Sequence, residues 1–240
     1  MTTPNVPGVL AERLKEELPA QQAFRWARDL WKPVVHDVPD AVEIVERLPE
    51  HLDRQAVRDV VQDSLTHESV LGALVAVLIW GGPSARRAFW ARSILTGVGR
   101  RGNCDARVDE SIRERLIEGA GRVRKNGAAE GFRFMRNEGR VKYLGGAYFT
   151  KWLAFTSMVG RIDGPEVAPI LDKRVRDWIA NQTASDTRIS LSTSSSSDYE
   201  RYLQLLDAWG APFDRTRTQT ELAIFDLTRD RPAQGKSRGA

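Results

Sequence analysis

Cysteine is the scarcest informative residue in this 240-residue sequence, with Cys104 the single example. One cysteine cannot form a disulfide within the chain, and one thiolate cannot hold a zinc ion or an iron–sulfur cluster. The three histidines, His36, His51 and His67, do not have the spacing of a metal-binding motif. We therefore expect no metal, no cofactor and a cytoplasmic location.

Long hydrophobic runs are also missing. The longest, Val70 to Trp80, is too short to cross a bilayer and is interpreted as a buried central helix. Met1 to Gly8 lacks the basic and apolar regions of a signal peptide. We expect no contact with a membrane. The formal net charge of +4 at pH 7 is a mild basic excess, compatible with a nucleic-acid partner.

Alternation of apolar and polar residues is scarce, and residues 188–192 are the one short extended piece that it predicts. Helical spacing recurs instead, beginning with Leu10, Leu14 and Leu18, and it predicts an all-α fold of about ten helices. Further helices are predicted at 21–30, 41–48, 55–65, 70–80, 84–95, 109–118, 128–137, 147–158, 173–180, 198–209 and 218–228.

The domain organisation follows from this pattern. We expect one helical domain over residues 9–230, with disordered ends at 1–8 and 231–240. The serine run 192–197 is predicted to be a flexible loop. In the helix over 84–95, Ser84 is the expected cap, Phe89 is expected to face inward and Arg92 outward.

A glycine pair, Gly145-Gly146, separates two of the predicted helices. Glycines can adopt positive φ, and they leave backbone N–H groups uncovered. N–H groups at the start of a helix bind anions, so a DNA phosphate is a natural ligand here. A glycine pair on its own is more often a simple turn.

Lys151 lies about one turn into the helix that follows, among Phe149, Trp152 and Phe155. Burial and the positive end of the helix both lower a lysine pKa, which favours the neutral amine needed for nucleophilic attack. The alternative is a surface lysine whose stem packs along the aromatic side chains.

Asp172 follows Lys151 by 21 residues and opens the helix predicted at 173–180. Aspartate is among the preferred N-cap residues, and a cap alone is a structural role. A cap also holds its carboxylate in place, and a fixed carboxylate can stabilise positive charge that develops on a sugar ring.

Together these parts resemble the helix-hairpin-helix DNA glycosylase superfamily, and within it the prokaryotic 8-oxoguanine DNA glycosylase (OGG) fold proteins. The resemblance covers about 40 residues, with the helix-hairpin-helix at about 138–180. It rests on Leu144-Gly145-Gly146, Lys151, the loop at 159–169, Ile170-Leu171-Asp172 and Arg174-Val175.

The resemblance implies a helix-hairpin-helix glycosylase-like bundle with a cleft between two helical subdomains. It implies that a monomer binds double-stranded DNA and flips out a modified base, by default an 8-oxoguanine-type purine. Lys151 would attack the sugar, Asp172 would stabilise the transition state, and strand cleavage at the abasic site could follow. Lys142, Gly145, Gly146 and Arg174 are the expected DNA contacts.

Aromatic residues are the natural stacking partners of a flipped base. The candidates from the sequence are Trp26, Trp31, Trp80, Trp152, Trp178, Trp209 and Phe213, most of which have the helical spacing of core residues.

Three further functions stay open, one of which is an unrelated helical regulator. A related enzyme could remove hypermodified bases from phage DNA as an antiviral defence. A helix-hairpin-helix protein could also bind DNA phosphates without catalysing a reaction, in which case Lys151 should be exposed and distant from Asp172.

Overall fold

The computed structural model describes residues 4–18, 20–66, 69–183 and 188–228. Within these ranges the chain forms twelve α-helices and one two-stranded sheet, so the predicted all-α class is confirmed. The strands are β1 (Phe24–Arg25) and β2 (His51–Leu52). The helices are α1 (Gly8–Lys15), α2 (Lys32–Val35), α3 (Pro39–Arg47), α4 (Arg54–Thr66), α5 (Val70–Gly81), α6 (Ala85–Thr96), α7 (Ser111–Asn126), α8 (Ala128–Arg136), α9 (Gly146–Ser157), α10 (Lys173–Gln182), α11 (Ser196–Gly210) and α12 (Arg217–Leu227).

The most apolar helix, α5, lies at the centre, as its sequence predicts. Every residue from Val70 to Trp80 is buried, and α3, α4, α6, α7 and α9 pack around it. Its first N–H groups are satisfied by Asp40 of α3, whose Oδ2 accepts from Leu71 and Gly72 at 3.1 Å each. No helix in the described ranges has the length and hydrophobicity to span a membrane.

The helix predicted at 21–30 is wrong. This segment contains β1, which pairs antiparallel with β2 through Phe24 opposite Leu52, and a short 3₁₀ turn at Arg28–Leu30. The reason is visible in the burial, because Phe24 is half-buried, Arg25 exposed and Trp26 buried, which is the alternation of an extended chain. Residues 188–192 join no strand in the described structure, but their burial alternates as expected of the predicted extended piece.

Helix α6 has two side chains on the faces opposite to those predicted. Phe89 is 52% exposed, whereas Arg92 is buried. Arg92 tolerates burial because its guanidinium donates to Asp37 Oδ2 at 2.9 Å and to the carbonyls of Asn103 and Ala106. The bond from Arg92 lowers the pKa of Asp37. Ser84 occupies the N-cap position, but its side chain makes no capping bond.

The remaining boundaries differ in detail. Helix α7 extends to Asn126, eight residues beyond its predicted end, and α11 begins inside the serine run, at Ser196. At the N-terminus α1 begins at Gly8, and the Trp209 indole donates to the carbonyl of Pro4. His67, residues 1–3 and the predicted tail at 231–240 lie outside the described residues. The division into two subdomains stays a prediction.

Candidate active site

The hairpin between α8 and α9 spans residues 137–145, and the two helices pack against each other. Its one positive φ belongs to Tyr143, at 65°, whereas neither Gly145 nor Gly146 has a positive φ. Glycine is needed at position 146 for another reason, because a Cβ there would lie 2.1 Å from the Thr193 carbonyl oxygen. Gly145 is exposed and has open space around it.

Lys151 lies in the second turn of α9 and is 6% exposed. Its Nζ donates to the carbonyl of Ala147 at 3.1 Å and to Asp172 Oδ2 at 3.3 Å. The same nitrogen is 5.5 Å from the centre of the Tyr148 ring and 6.0 Å from that of Trp80. The amine is therefore enclosed by aromatic side chains and faces one carboxylate.

Two opposing effects act on the charge of this amine. Burial lowers the pKa of Lys151, and the negative charge of Asp172 raises it. Burial is the larger effect, so the pKa lies below the ordinary lysine value. A larger fraction of Lys151 is consequently the neutral, nucleophilic amine near neutral pH than for a lysine in water.

Asp172 is the N-cap of α10, and its two carboxylate oxygens have separate partners. Oδ1 accepts from the backbone N–H groups of Arg174 at 3.0 Å and Val175 at 3.2 Å. Oδ2 faces Lys151. The predicted cap is confirmed, and it fixes the carboxylate while leaving one oxygen toward the amine.

The loop that precedes Asp172 is hydrogen-bonded to the helix that carries Lys151. Thr150 Oγ1 of α9 accepts from the N–H of Leu171, and Ser157 Oγ accepts from that of Ala168, at 3.3 and 2.9 Å. The separation between amine and carboxylate therefore depends on bonds from the loop backbone to hydroxyl side chains of α9, in addition to the mutual attraction of the two groups.

Two tyrosines of α11 hold the same loop from another side. The Tyr199 hydroxyl donates to the Pro169 carbonyl at 2.8 Å, and the Tyr202 hydroxyl donates to that of Ile170 at 2.9 Å. Both rings are fully buried, and burial raises the pKa of each phenol. They stay protonated donors, so the position of Asp172 does not depend on pH through them.

Lys151 and Asp172 open into a cavity of about 510 Å³. Its walls include three aromatic residues, Trp80, Phe24 and Phe225, and the exposed Arg174, whose guanidinium is 5.5 Å from the Phe225 ring centre. The remaining lining residues are Gln21, Gln22, Arg25, Gly81 and Pro83.

Of the stacking candidates from the sequence, Trp80 is the one that lines this cavity within the described structure. Phe24 and Phe225 were missed, although the alternation around Phe24 could have revealed a strand. The other candidates pack in or against the core: Trp26, Trp31, Trp152, Trp178, Trp209 and Phe213.

A buried ion pair adjoins the cavity and was also missed. Arg54 and Glu221 are both buried, with Arg54 Nη1 3.4 Å from Glu221 Oε2. The Arg54 guanidinium lies 5.5 Å from the centre of the Trp80 ring. Burial raises the pKa of Glu221, and the charge of Arg54 opposes that rise. The ion pair thus places a buried guanidinium against the Trp80 ring, which also lines the cavity.

The other predicted DNA contacts form a separate group. Lys142, Gly145 and Gly146 line a second, open cavity of about 550 Å³ together with Arg136 and Arg140. The N–H groups of Gly146 and Ala147, at the start of α9, have no acceptor among the described residues. Lys151, Asp172 and Arg174 are thus brought together in one cavity, and the hairpin residues in another.

No three histidine, cysteine, aspartate or glutamate side chains of the described chain come together as they would around a metal ion. The chemistry available in the first cavity is that of an amine, a carboxylate and aromatic walls.

Comparison with known proteins adds one match. The model of the family described as "Putative 8-oxoguanine DNA glycosylase OGG-like protein" matches residues 17–225, a range that contains both Lys151 and Asp172. No curated protein and no solved structure matches the chain.

Proposed function

Because the chain belongs to the OGG-like family, we propose that it is a DNA glycosylase that excises a modified base, with Lys151 as nucleophile and Asp172 as stabiliser of the transition state. The observation that carries this proposal is the buried Lys151 amine, 3.3 Å from a fixed carboxylate in a cavity with aromatic walls. The non-catalytic alternative predicts an exposed Lys151 distant from Asp172, so the buried and paired amine counts against it.

The reaction starts when a flipped-out nucleotide enters the cavity, its base between the aromatic walls and its sugar toward Lys151. The neutral amine attacks C1′, a C–N bond forms, and the bond from C1′ to the base breaks with its electron pair on the base. Asp172 stabilises the positive charge that develops on the sugar. The new ammonium group then loses a proton, and the departing base gains one.

The covalent intermediate can open its sugar ring to give an imine between Lys151 and C1′. Hydrolysis of the imine releases an abasic site, whereas β-elimination from it cuts the strand. Strand cleavage, the lyase reaction, is proposed only for the route through β-elimination.

Two sets of groups are suited to hold DNA around the cavity. Lys142 is exposed at the hairpin, and the N–H group of Gly146 has no acceptor among the described residues, so a phosphate at the start of α9 would accept from both. The N–H group of Gly145 donates instead to the Tyr143 carbonyl at 3.1 Å. Arg174 is exposed at the rim of the first cavity and is placed to contact a phosphate next to the flipped nucleotide.

The default substrate is an 8-oxoguanine-type purine in double-stranded DNA, and removal of hypermodified phage bases is the alternative. Duplexes with different modified bases, and intact phage DNA, should be incubated with the protein, and released bases identified by mass spectrometry. Release by the wild-type protein and its loss in Lys151→Gln, with DNA affinity retained, is the expected result. Absence of base release from every DNA would overturn the proposal, and release from phage DNA alone would select the defence role.

A further inference from the structure

Two buried cations lie against the Trp80 ring. The Arg54 guanidinium, from α4, is 5.5 Å from the ring centre, and the Lys151 Nζ, from α9, is 6.0 Å from it. Trp80 and Lys151 line the cavity, whereas Arg54 and its partner Glu221 are not among the described residues that line it. Any influence of Arg54 on the active site therefore passes through the ring or through its charge, without contact with a bound base.

The bonds between Arg54 and Glu221 are long for a charged pair. Arg54 Nη1 and Nη2 both donate to Glu221 Oε2, at 3.4 and 3.5 Å, although the two side chains are only 5% and 1% exposed. The Arg54 Nε is buried and has no acceptor among the described residues. Such bonds are usually about 2.8 Å long, and a buried pair regains its desolvation cost only with good geometry. A contribution to stability is therefore a poor explanation of this pair.

Arg54 and Glu221 extend the ion pair of Lys151 and Asp172 into a cluster of four charges. Burial and Asp172 have the largest effects on the pKa of Lys151, and next come Glu221, which raises it, and Arg54, which lowers it. Burial raises the pKa of Glu221, and the charges of Arg54 and Lys151 oppose that rise. Buried charges are screened weakly, so the two pairs are coupled although they do not share a hydrogen bond.

The other charged or titratable groups around Lys151 are exposed, neutral or bonded elsewhere. Arg25 and Arg174 line the cavity but are exposed, so water screens their charges. Tyr148 and Tyr202 stay neutral because burial raises the pKa of each phenol. Helix α5 has no charged residue. The charged side chains of the neighbouring helices that bond away from Lys151 are Arg58 of α4, Arg124 of α7, and Glu130, Arg133 and Arg136 of α8. Beyond the Arg54–Glu221 pair, Arg13 and Asp226 bond each other at 2.9 Å.

We propose that Arg54 and Glu221 are positioning residues for the reaction, a second ion pair outside the cavity whose opposite charges balance the charge of Lys151 and so set its readiness as a nucleophile. The inference rests on the proposed function and deepens it, because it assigns control of the nucleophile to two residues that do not touch the substrate.

The test is a titration of Lys151 in the full chain, followed by NMR of the lysine ε-carbons after labelling with ¹³C-lysine. Lysine is rare in this sequence, and the signal that is missing from Lys151→Gln is that of Lys151. The measurement needs no substrate, so it is independent of the identity of the base. Circular dichroism shows that each variant is folded.

Glu221→Gln removes the negative charge and leaves Arg54 charged, so the titration midpoint of Lys151 should fall by about half a pH unit or more. A unit charge about 10 Å away moves a pKa by roughly one pH unit at an effective dielectric constant of about 20. A loosened structure would instead admit water and raise the midpoint toward about 10.4, the ordinary lysine value. A fall therefore identifies the lost charge.

Arg54→Gln makes the opposite change and should raise the midpoint, which keeps the inference testable should Glu221→Gln fail to fold. The double variant removes both charges, and its midpoint should lie between those of the single variants. Glu200→Gln makes the same change as Glu221→Gln on the exposed face of α11 and should leave the midpoint unchanged.

The single-turnover rate of base release, measured against pH, should show midpoints in the same order. An unchanged titration midpoint in folded Glu221→Gln and Arg54→Gln, or a rise in both, would overturn the inference. Base release by the wild-type protein together with such midpoints refutes the role of the ion pair alone. Opposite shifts of the two midpoints without base release from any DNA refute the proposed glycosylase and leave the coupling of the two ion pairs in place.

Discussion

Substitution of Asp172 separates its two roles, because the cap and the charge lie on different oxygens. Asp172→Asn keeps an oxygen that can accept from the N–H groups at the start of α10 and removes the negative charge. Asp172→Ala removes both. The two variants should therefore differ in stability and agree in activity.

The expected magnitudes follow from these contacts. Asparagine caps helices about as well as aspartate, whereas alanine in place of a capping aspartate costs about 1 kcal/mol. Loss of the carboxylate also deprives Lys151 of its partner, but the buried amine can lose its proton, which limits that cost. Loss of a fixed group that stabilises transition-state charge reduces a rate by about 100-fold or more, or about 3 kcal/mol. The activity loss should thus exceed the stability loss in both variants.

Urea denaturation gives the unfolding free energies, and single-turnover excision at saturating enzyme gives the chemical rate. We expect Asp172→Ala to be about 1 kcal/mol less stable than Asp172→Asn, with both about 100-fold slower than wild type. A wild-type rate in Asp172→Asn would refute the role of the charge. Equal stabilities of the two variants would refute the role of the cap.

Three further predictions concern other parts of the chain. Because burial lowers the pKa of Lys151, the single-turnover rate should rise with pH with a midpoint below about 10.4, the ordinary pKa of a lysine. A midpoint at or above about pH 10.4 would contradict an effect of burial on Lys151. Gly81→Ala places a Cβ 3.1 Å from Lys151 Cδ, so it should displace the Lys151 side chain and slow excision about tenfold or more. Gly121→Ala is the control, because a Cβ there has open space around it, and it should leave the rate unchanged. Asp37→Asn should lower the unfolding free energy by about 1 kcal/mol at pH 7, measured by urea titration. Because Arg92 lowers the folded-state pKa of Asp37, this difference should begin to shrink as the pH falls below about 3.9, the ordinary value of an aspartate, and should vanish only below the lowered folded-state pKa. A difference that persists at low pH would mean that the charge of Asp37 does not matter.

The helices were largely predictable because their apolar residues recur at helical spacing, and α5 is apolar all round. The segment with Phe24 was misread because Phe24, Trp26 and Leu30 have separations of two and four, which fit a strand as well as a helix. A two-residue strand pairs only with a distant segment, here β2, and no local signal encodes that partner.

The positions of Lys151 and Asp172 near the starts of two helices were predictable because each helix start has a recognisable local pattern. Their separation of 3.3 Å was not, because it depends on the hydrogen bonds of Thr150, Tyr199 and Tyr202 to the intervening loop. The walls of the cavity come from segments about two hundred residues apart, near Phe24 and Phe225, and only the tertiary structure brings them together.

The most direct test of the central claim is to locate the covalent bond to DNA. The wild-type protein is incubated with a duplex from which it releases a base, borohydride is added to reduce the imine, and the adduct is digested and sequenced by mass spectrometry. The reduced sugar should be attached to Lys151, and Lys151→Gln should give no adduct. An adduct on another residue, or base release without any adduct, would contradict the assignment of Lys151 as the nucleophile.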